Sequence, residues 1–196
     1  YARVYANRLA KKKLLYTPEK GKYAVKETPL EIATNLIFPC YISFISAYSI
    51  YNFTTQTPIE LHIVSLKSKK PMSIGNTRIV FIKFKKHNLF GYKRERFGNT
   101  YVFIAEPEKA IVDSLYLPRY CPIAESYAAL KSTDIDINKL IDYALRMNSV
   151  VTVKRLGYLL ELSGHDIYKK VKRRLNKRYD PLNPYMARSK KNSAKW

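Results

Sequence analysis

Residues 106–118, which read EPEKAIVDSLYLP, separate a part of the chain that contains the strand-like segments from a part with helical patterns. Pro107 suits the first position of a helix, where its missing N–H needs no partner, and Pro118 ends the helix just before it. Ile111 and Leu115 lie about one turn apart and predict the face that packs inward. The sequence therefore predicts a helix here, with strands before it and further helices after it.

Segments before this helix are rich in β-branched and aromatic residues, which favour strands. They are Ile59–Leu66, Arg78–Lys85, Tyr92–Phe97 and Tyr101–Ile104. Turn signals at Gly75-Asn76 and Gly98-Asn99 lie between candidate strand pairs. A small antiparallel sheet is therefore expected.

Helical patterns flank the strand-rich region on both sides. The first is Glu31–Asn52, in which Pro39 separates a short first piece from a helix at Ser43–Tyr51. The others are Ile137–Met147 and Val151–Ser163, and a basic helix or extended segment follows at Asp166–Arg178. Residues 28–196 are thus expected to form a mixed α/β domain of the α+β class, in which helices pack on the sheet.

The first residues predict a separate small unit. Ala2–Lys13 has no Pro or Gly and indicates a helix, and Pro18–Gly21 is a turn before a return strand at Tyr23–Val25. A helix followed by a short basic hairpin is the layout of the recognition helix and wing of a winged helix-turn-helix. Residues 1–27 are expected to be the last part of such a domain, and we expect its first helices to precede Tyr1.

The charge of the chain is concentrated at its ends. Its 196 residues carry 36 Lys and Arg against 15 Asp and Glu, a formal net charge of +21. Residues 1–26 hold eight basic residues and one acid, residues 165–196 hold eleven and two, and the middle holds seventeen and twelve. An excess of this size indicates a polyanionic partner.

Polar residues of the first helix suit contact with DNA bases. On a helical wheel, one stripe holds Val4, Tyr5, Leu9 and Lys12 and is expected to face inward. The opposite stripe, expected to face solvent or a ligand, holds Arg3, Asn7, Ala10 and Lys11 with Ala6 at its flank, and the two small alanines would let the backbone approach DNA. Arg3 suits guanine edges and Asn7 suits adenine edges. We expect the full set of DNA-binding residues to be Arg3, Asn7, Arg8, Lys11, Lys12, Lys13, Lys20 and Lys22, with the lysines neutralising phosphates. A solvated helix followed by an incidental hairpin is the alternative.

A second basic patch lies near the other end. It comprises Lys169, Lys170, Lys172, Arg173, Arg174 and Lys177. Such a run contacts nucleic acid or an acidic protein, or is simply a solvated helical face, and the sequence does not separate these alternatives.

Catalytic signals are weak, and the sequence predicts a protein that is not an enzyme and needs no metal or cofactor. His62, His87 and His165 are isolated, and no HExxH or glycine-rich phosphate loop occurs. The nearest acidic cluster is Glu106, Glu108 and Asp113, for which local ion pairs at the helix are the favoured role.

The two cysteines, Cys40 and Cys121, have neither the number nor the spacing of a disulfide framework or zinc site, which favours a reducing cytoplasm. The most apolar stretch, Leu36–Tyr51, is short for a bilayer span and contains Pro39, so a buried helix is expected there and no membrane anchor.

Several stretches together resemble the AbiEi family of antitoxin regulators, the repressors of type IV abortive-infection toxin–antitoxin systems. They are Asn7–Leu15, Gly21–Val25, Tyr41–Tyr48, Glu106–Leu115, Arg155–Leu162, Tyr179–Leu182 and Ser193–Trp196. The Pro-Glu-Lys-Ala sequence at 107–110 is the most telling, and the likeness covers nearly the whole chain.

The resemblance implies an N-terminal winged helix-turn-helix that binds operator repeats in double-stranded DNA and represses its own operon. It also implies a C-terminal domain that counters a nucleotidyltransferase-like toxin, although some relatives are stand-alone regulators. Two alternatives remain beside it: an RNA- or ribosome-associated basic protein, and a metal-dependent nucleic-acid enzyme that would use Asp113.

Overall fold

The computed structural model describes residues 1–25, 28–98, 100–132, 135–186 and 196. Helices α1 to α8 are Ala2–Lys11, Pro29–Leu36, Phe44–Ile50, Pro107–Tyr116, Ile123–Leu130, Ile137–Arg146, Val150–Leu162 and Tyr168–Val171. Strands β1 to β8 are Tyr16–Glu19, Lys22–Ala24, Cys40–Ile42, Glu60–Ser65, Met72–Ile74, Thr77–Lys83, Tyr92–Phe97 and Thr100–Ala105. The α+β class predicted from the sequence is confirmed.

The main sheet has six strands in the order β5-β6-β4-β3-β8-β7. Contrary to the expected antiparallel sheet, it is mixed, because β4 runs parallel to β6 and β3 runs parallel to β8. The Gly75-Asn76 turn joins β6 to the short strand β5, which the sequence analysis did not predict, and does not join β6 to β4. The expected Gly98-Asn99 turn includes Asn99, which lies outside the described residues.

The predicted helix at Pro107 is confirmed as α4, with Glu106 as its N-cap and Leu117 as its C-cap. All of its residues from Glu108 to Leu115 are buried, and it lies against α3, α5, α6 and α7. It is therefore the central helix of the core. The helix α5 was not predicted, although Pro122 just before it is a common helix-start signal.

The expected helix at Ser43–Tyr51 is confirmed as α3, but the predicted helical region Glu31–Asn52 also contains the strand β3, which was not predicted, between α2 and α3. All three residues of β3 are buried, so this strand has no polar face and no alternating pattern. A short apolar run of this kind is indistinguishable from a buried helix by periodicity alone.

A buried ion pair joins α4 to the end of β3. The side chains of Lys109 and Asp113 are both fully buried and bonded to each other. Asp113 Oδ2 accepts hydrogen bonds from Ser43 Oγ at 2.8 Å and from Tyr41 OH at 3.1 Å. The Lys109 ammonium lies 4.6 Å from the ring centroid of Phe90. Burial raises the pKa of the Asp113 carboxyl and lowers that of the Lys109 ammonium, and each charge opposes the shift of the other.

The segment after α8 crosses back over α7 and is held there by two cationic side chains. The buried Lys154 Nζ donates to Asn176 Oδ1 at 2.8 Å and lies 3.1 Å from Asp180 Oδ2. Arg155 donates from Nη1 to Leu115 O at 2.7 Å and from Nη2 to Pro181 O at 3.2 Å. This connection ties the C-terminal segment to α4 as well as to α7.

Residues 1–25 supply one helix and one antiparallel hairpin, so the structure does not confirm a complete winged helix. Tyr16 and Ala24 of the hairpin are half-buried and pack on the main core. The expected boundary near Lys26–Pro29 includes Lys26 and Glu27, which lie outside the described residues, so the division at 27 and 28 stays a prediction.

Candidate nucleic-acid interface

Helix α1, the helix of the predicted interface, has no buried side chain. Its half-buried positions are Ala6, Leu9 and Ala10. The expected inward stripe is only partly observed, because Val4 and Tyr5 are 56% and 65% exposed. Ala6 and Ala10, which were expected on the side that approaches DNA, lie instead with Leu9 on the packed side, where their small side chains permit a closer approach than the bulkier Val4 and Tyr5.

The hairpin turns at Lys20 and Gly21. Gly21 has a φ of +82°, a conformation that glycine adopts without the steric cost a side chain brings. The turn places the exposed Lys20 at the tip, and a Cβ built on Gly21 would lie 4.0 Å from the guanidinium of Arg3. The tip of the hairpin therefore lies beside the start of α1.

The two predicted base-reading residues are both exposed, and both lie on the side of α1 next to the hairpin. Asn7 Oδ1 accepts a hydrogen bond of 2.6 Å from the hydroxyl of Tyr23 on β2. This bond leaves the amide group of Asn7 to donate elsewhere, and it ties the helix to the hairpin. No other observation tests base recognition by Arg3 and Asn7, which stays a prediction.

The remaining basic residues of this unit differ in whether they are bonded to other groups of the protein. Arg8, Lys11, Lys12, Lys13 and Lys20 are exposed. Lys22, by contrast, donates to Leu36 O at 2.5 Å and lies 3.1 Å from Glu19 Oε2. Lys22 thus anchors the hairpin on the end of α2, and a phosphate contact would have to compete with these bonds.

A second anchor fixes the other strand of the hairpin. Lys69 Nζ, in the loop between β4 and β5, lies 2.6 Å from Glu19 Oε1. Hydrogen bonds from Lys69 and then from Lys22 hold the pKa of the Glu19 carboxyl below its ordinary value. The hairpin is therefore attached to the main domain at both α2 and the β4–β5 loop.

The C-terminal basic patch lies on the surface of the protein. Ile167 and Val171 are buried and hold the segment in place, while the six basic residues named above are exposed. Lys170 Nζ donates to Asn138 Oδ1 at 2.8 Å at the start of α6. The bond of Lys170 directs the patch toward α6, and no hydrogen bond described for its six basic residues reaches α1 or the hairpin.

A third basic region was missed by the sequence analysis. Residues 61–94 contain nine Lys and Arg and no Asp or Glu, whereas residues 27–60 and 95–164 together hold eight basic and twelve acidic residues. A single count of charged residues over positions 27–164 concealed this run of basic residues. A count in shorter windows would have found it. Six of its lysines lie near the ends of β4 and β6, namely Lys67, Lys69, Lys70, Lys83, Lys85 and Lys86. They are called the loop lysines below.

The acidic cluster near α4 is engaged in local pairs. Glu108 lies 3.0 Å from Lys139 Nζ and accepts a hydrogen bond from Asp136 N, and Glu106 accepts one from Tyr143 OH. Among the described residues, no group of three or more His, Cys, Asp or Glu is placed to hold a metal ion. The helices in the same residues include none that is both long and apolar enough to cross a bilayer.

Comparison with known proteins gives no assignment. No family profile matches the chain, and no curated protein sequence matches it significantly. The resemblance to AbiEi regulators therefore rests on the residue stretches quoted above and on their order along the chain.

Proposed function

We propose that this chain is a double-stranded DNA-binding transcriptional regulator that represses its own operon through α1 and the β1–β2 hairpin. The observation that carries the proposal is the exposed helix α1, with basic residues at its end and at the adjoining hairpin tip, in a chain of net charge +21. A helix suits the major groove, and an adjoining hairpin suits the neighbouring backbone.

The hydrogen bond between Tyr23 and Asn7 supports this use of the two elements. It holds the helix and the hairpin in one arrangement, so the cost of ordering them on DNA is reduced. The two anchors of the hairpin, at Leu36 and Lys69, have the same effect.

The resemblance extends the proposal to an antitoxin of a type IV abortive-infection system, acting in the cytoplasm. In this role the chain counters a nucleotidyltransferase-like toxin and acts by binding, without catalysis or a cofactor. A growth assay would test the antitoxin role: the chain is co-expressed with each nucleotidyltransferase-like protein encoded beside its gene. Restored growth with one of them supports the role, and toxicity unchanged in every pairing contradicts it.

Quantitative DNA binding tests the regulatory role. The protein is titrated against a duplex from upstream of its own gene and against a scrambled duplex of equal length, together with the variants Arg3→Ala and Asn7→Ala. We expect each variant to lose roughly tenfold to hundredfold affinity for the promoter duplex and little for the scrambled one. The exposed Lys131→Gln is the control for loss of a charge elsewhere.

A protein that binds both duplexes equally, with neither variant changing the ratio, is not a sequence-specific repressor. Preference for structured or single-stranded RNA over both duplexes would instead identify an RNA-binding protein.

A further inference from the structure

Three strand and loop contacts bring the loop lysines to one end of the main sheet. Because β4 and β6 are parallel and in register from Glu60 and Arg78 to Ser65 and Lys83, both strands end at the same edge. After the last pair, Phe84 N donates to Ser65 O at 2.8 Å, so the chain that leaves β6 stays beside the end of β4.

The loop after β4 is held in a compact turn at the same edge. Ser65 Oγ donates to Lys67 O at 2.8 Å, which folds the start of this loop back toward the strand. Lys67, Lys69 and Lys70 follow from this turn, and the lysines at 83, 85 and 86 emerge beside them from β6.

These lysines are poorly neutralised by the protein itself. Five of them are exposed, and Lys69 is half-buried. In the residues that the structure describes, Lys69 alone of the six is paired with a carboxylate, that of Glu19. Like charges clustered without counter-charges repel one another, so such a surface destabilises the free protein and favours a polyanion.

The same contact makes this surface continuous with the hairpin. Glu19 belongs to β1, and its carboxylate lies between Lys69 of the β4–β5 loop and Lys22 of β2. The hairpin tip at Lys20 therefore lies one residue from the carboxylate that Lys69, one of the loop lysines, contacts.

We propose that the loop lysines bind backbone phosphates of the same DNA duplex that α1 and the hairpin contact, and so extend the interface onto the main sheet. This inference rests on the proposed function. Lysine side chains carry flexible point charges and suit phosphates, which carry no sequence information. The loop lysines thus contribute affinity and salt dependence, while promoter preference stays with α1.

The test compares two double variants that each remove two positive charges. Lys85→Gln/Lys86→Gln alters exposed residues of the proposed surface. Arg96→Gln/Lys131→Gln is the matched control, since the exposed Arg96 lies on β7, which β3 and β8 separate from β4, and Lys131 ends α5. Affinity for the promoter duplex and the scrambled duplex is measured for the full chain at salt concentrations from about 50 to 200 mM. Thermal melting of each variant verifies that folding is intact.

We expect Lys85→Gln/Lys86→Gln to reduce the slope of log affinity against log salt concentration by about two. Its affinity for the promoter duplex and for the scrambled duplex should fall by the same factor. The control pair should reduce that slope by less than one, because charges distant from the interface release few counterions.

The contradicting result is a change in salt slope and affinity for Lys85→Gln/Lys86→Gln no larger than that of the control pair, while the wild type still prefers the promoter duplex. The loop lysines are then a solvated surface and this inference is wrong, whereas the proposed function stands. If the wild type binds neither duplex, both fail.

Discussion

The hydroxyl of Tyr23 donates a 2.6 Å hydrogen bond to Asn7 Oδ1 and so links β2 to the helix that carries the predicted base-reading residues. The bond lies at an exposed position, where water competes for both groups. Its main effect is therefore on the orientation of Asn7 relative to the hairpin, and its effect on the stability of the fold is small.

Replacement of Tyr23 with Phe should weaken promoter binding without unfolding the protein. The variant keeps the ring and removes only the hydroxyl, and a net hydrogen bond contributes about 0.5 to 1.5 kcal/mol, so we expect a loss of roughly twofold to tenfold. Fluorescence anisotropy with a labelled promoter duplex measures it. In the double variant with Asn7→Ala the two losses should not add, and full additivity would show that the bond does not position Asn7.

Loss of the Asp113 carboxylate should destabilise the fold strongly. Asp113→Ala leaves the Lys109 ammonium buried and unpaired, at an expected cost of about 3 to 5 kcal/mol in the free energy of unfolding. Urea denaturation measures that cost. The double variant Lys109→Met/Asp113→Leu removes both charges and should recover much of the loss, whereas a double variant as unstable as Asp113→Ala would contradict the assignment of a paired charge.

The single tryptophan of the chain reports on the C-terminal contact. Trp196 is 9% exposed and lies on Gly157 of α7, where an added Cβ would come within 2.1 Å of its ring. Gly157→Ala should therefore displace the indole, shift its emission to longer wavelength and increase its quenching by iodide. Leu162→Ala, which alters an exposed side chain of the same helix, is the control and should leave the emission unchanged.

Stability should decrease as the pH falls below about 6.5 because of His62. Burial lowers the pKa of this imidazole, and the hydrogen bond to Glu60 opposes the shift only in part. The unfolded chain therefore binds a proton at higher pH than the folded chain, so stability is full above the unfolded pKa and declines as the pH falls toward the folded pKa.

Urea titrations of wild type and His62→Phe at pH 7.5 and 5.5 test this expectation. A phenyl ring suits the site because His62 lies edge-on to Phe44 and Tyr120. The free energy of unfolding of His62→Phe should decline less between pH 7.5 and pH 5.5 than that of the wild type. An identical decline in both proteins would assign it to other groups.

Local signals predicted much of the main domain. Pro107 and Pro118 gave the limits of α4, and the aromatic and β-branched runs located β4, β6, β7 and β8 to within about two residues. The parallel pairing of β4 with β6 was not predictable, because it depends on contacts between distant segments and on β5, whose three residues carry little pattern.

The bonds that shape the candidate interface were not predictable for the same reason. The basic residues of α1 and the hairpin form a local pattern, whereas the bonds of Asn7 with Tyr23 and of Glu19 with Lys69 join positions 16 and 50 residues apart. The side of α1 that packs was misassigned because Ala6 and Ala10 contribute little to a hydrophobic stripe, yet they allow close approach.

Competition for a labelled promoter duplex is the decisive test of sequence-specific DNA binding by this protein. The bound complex is challenged with unlabelled promoter duplex, scrambled duplex, single-stranded DNA and structured RNA at one salt concentration near 150 mM, where nonspecific binding is weak. We expect the promoter duplex to displace the label at a concentration at least about tenfold below that of every other competitor. Equal displacement by all four, or the strongest displacement by RNA, would contradict a role in sequence-specific DNA binding.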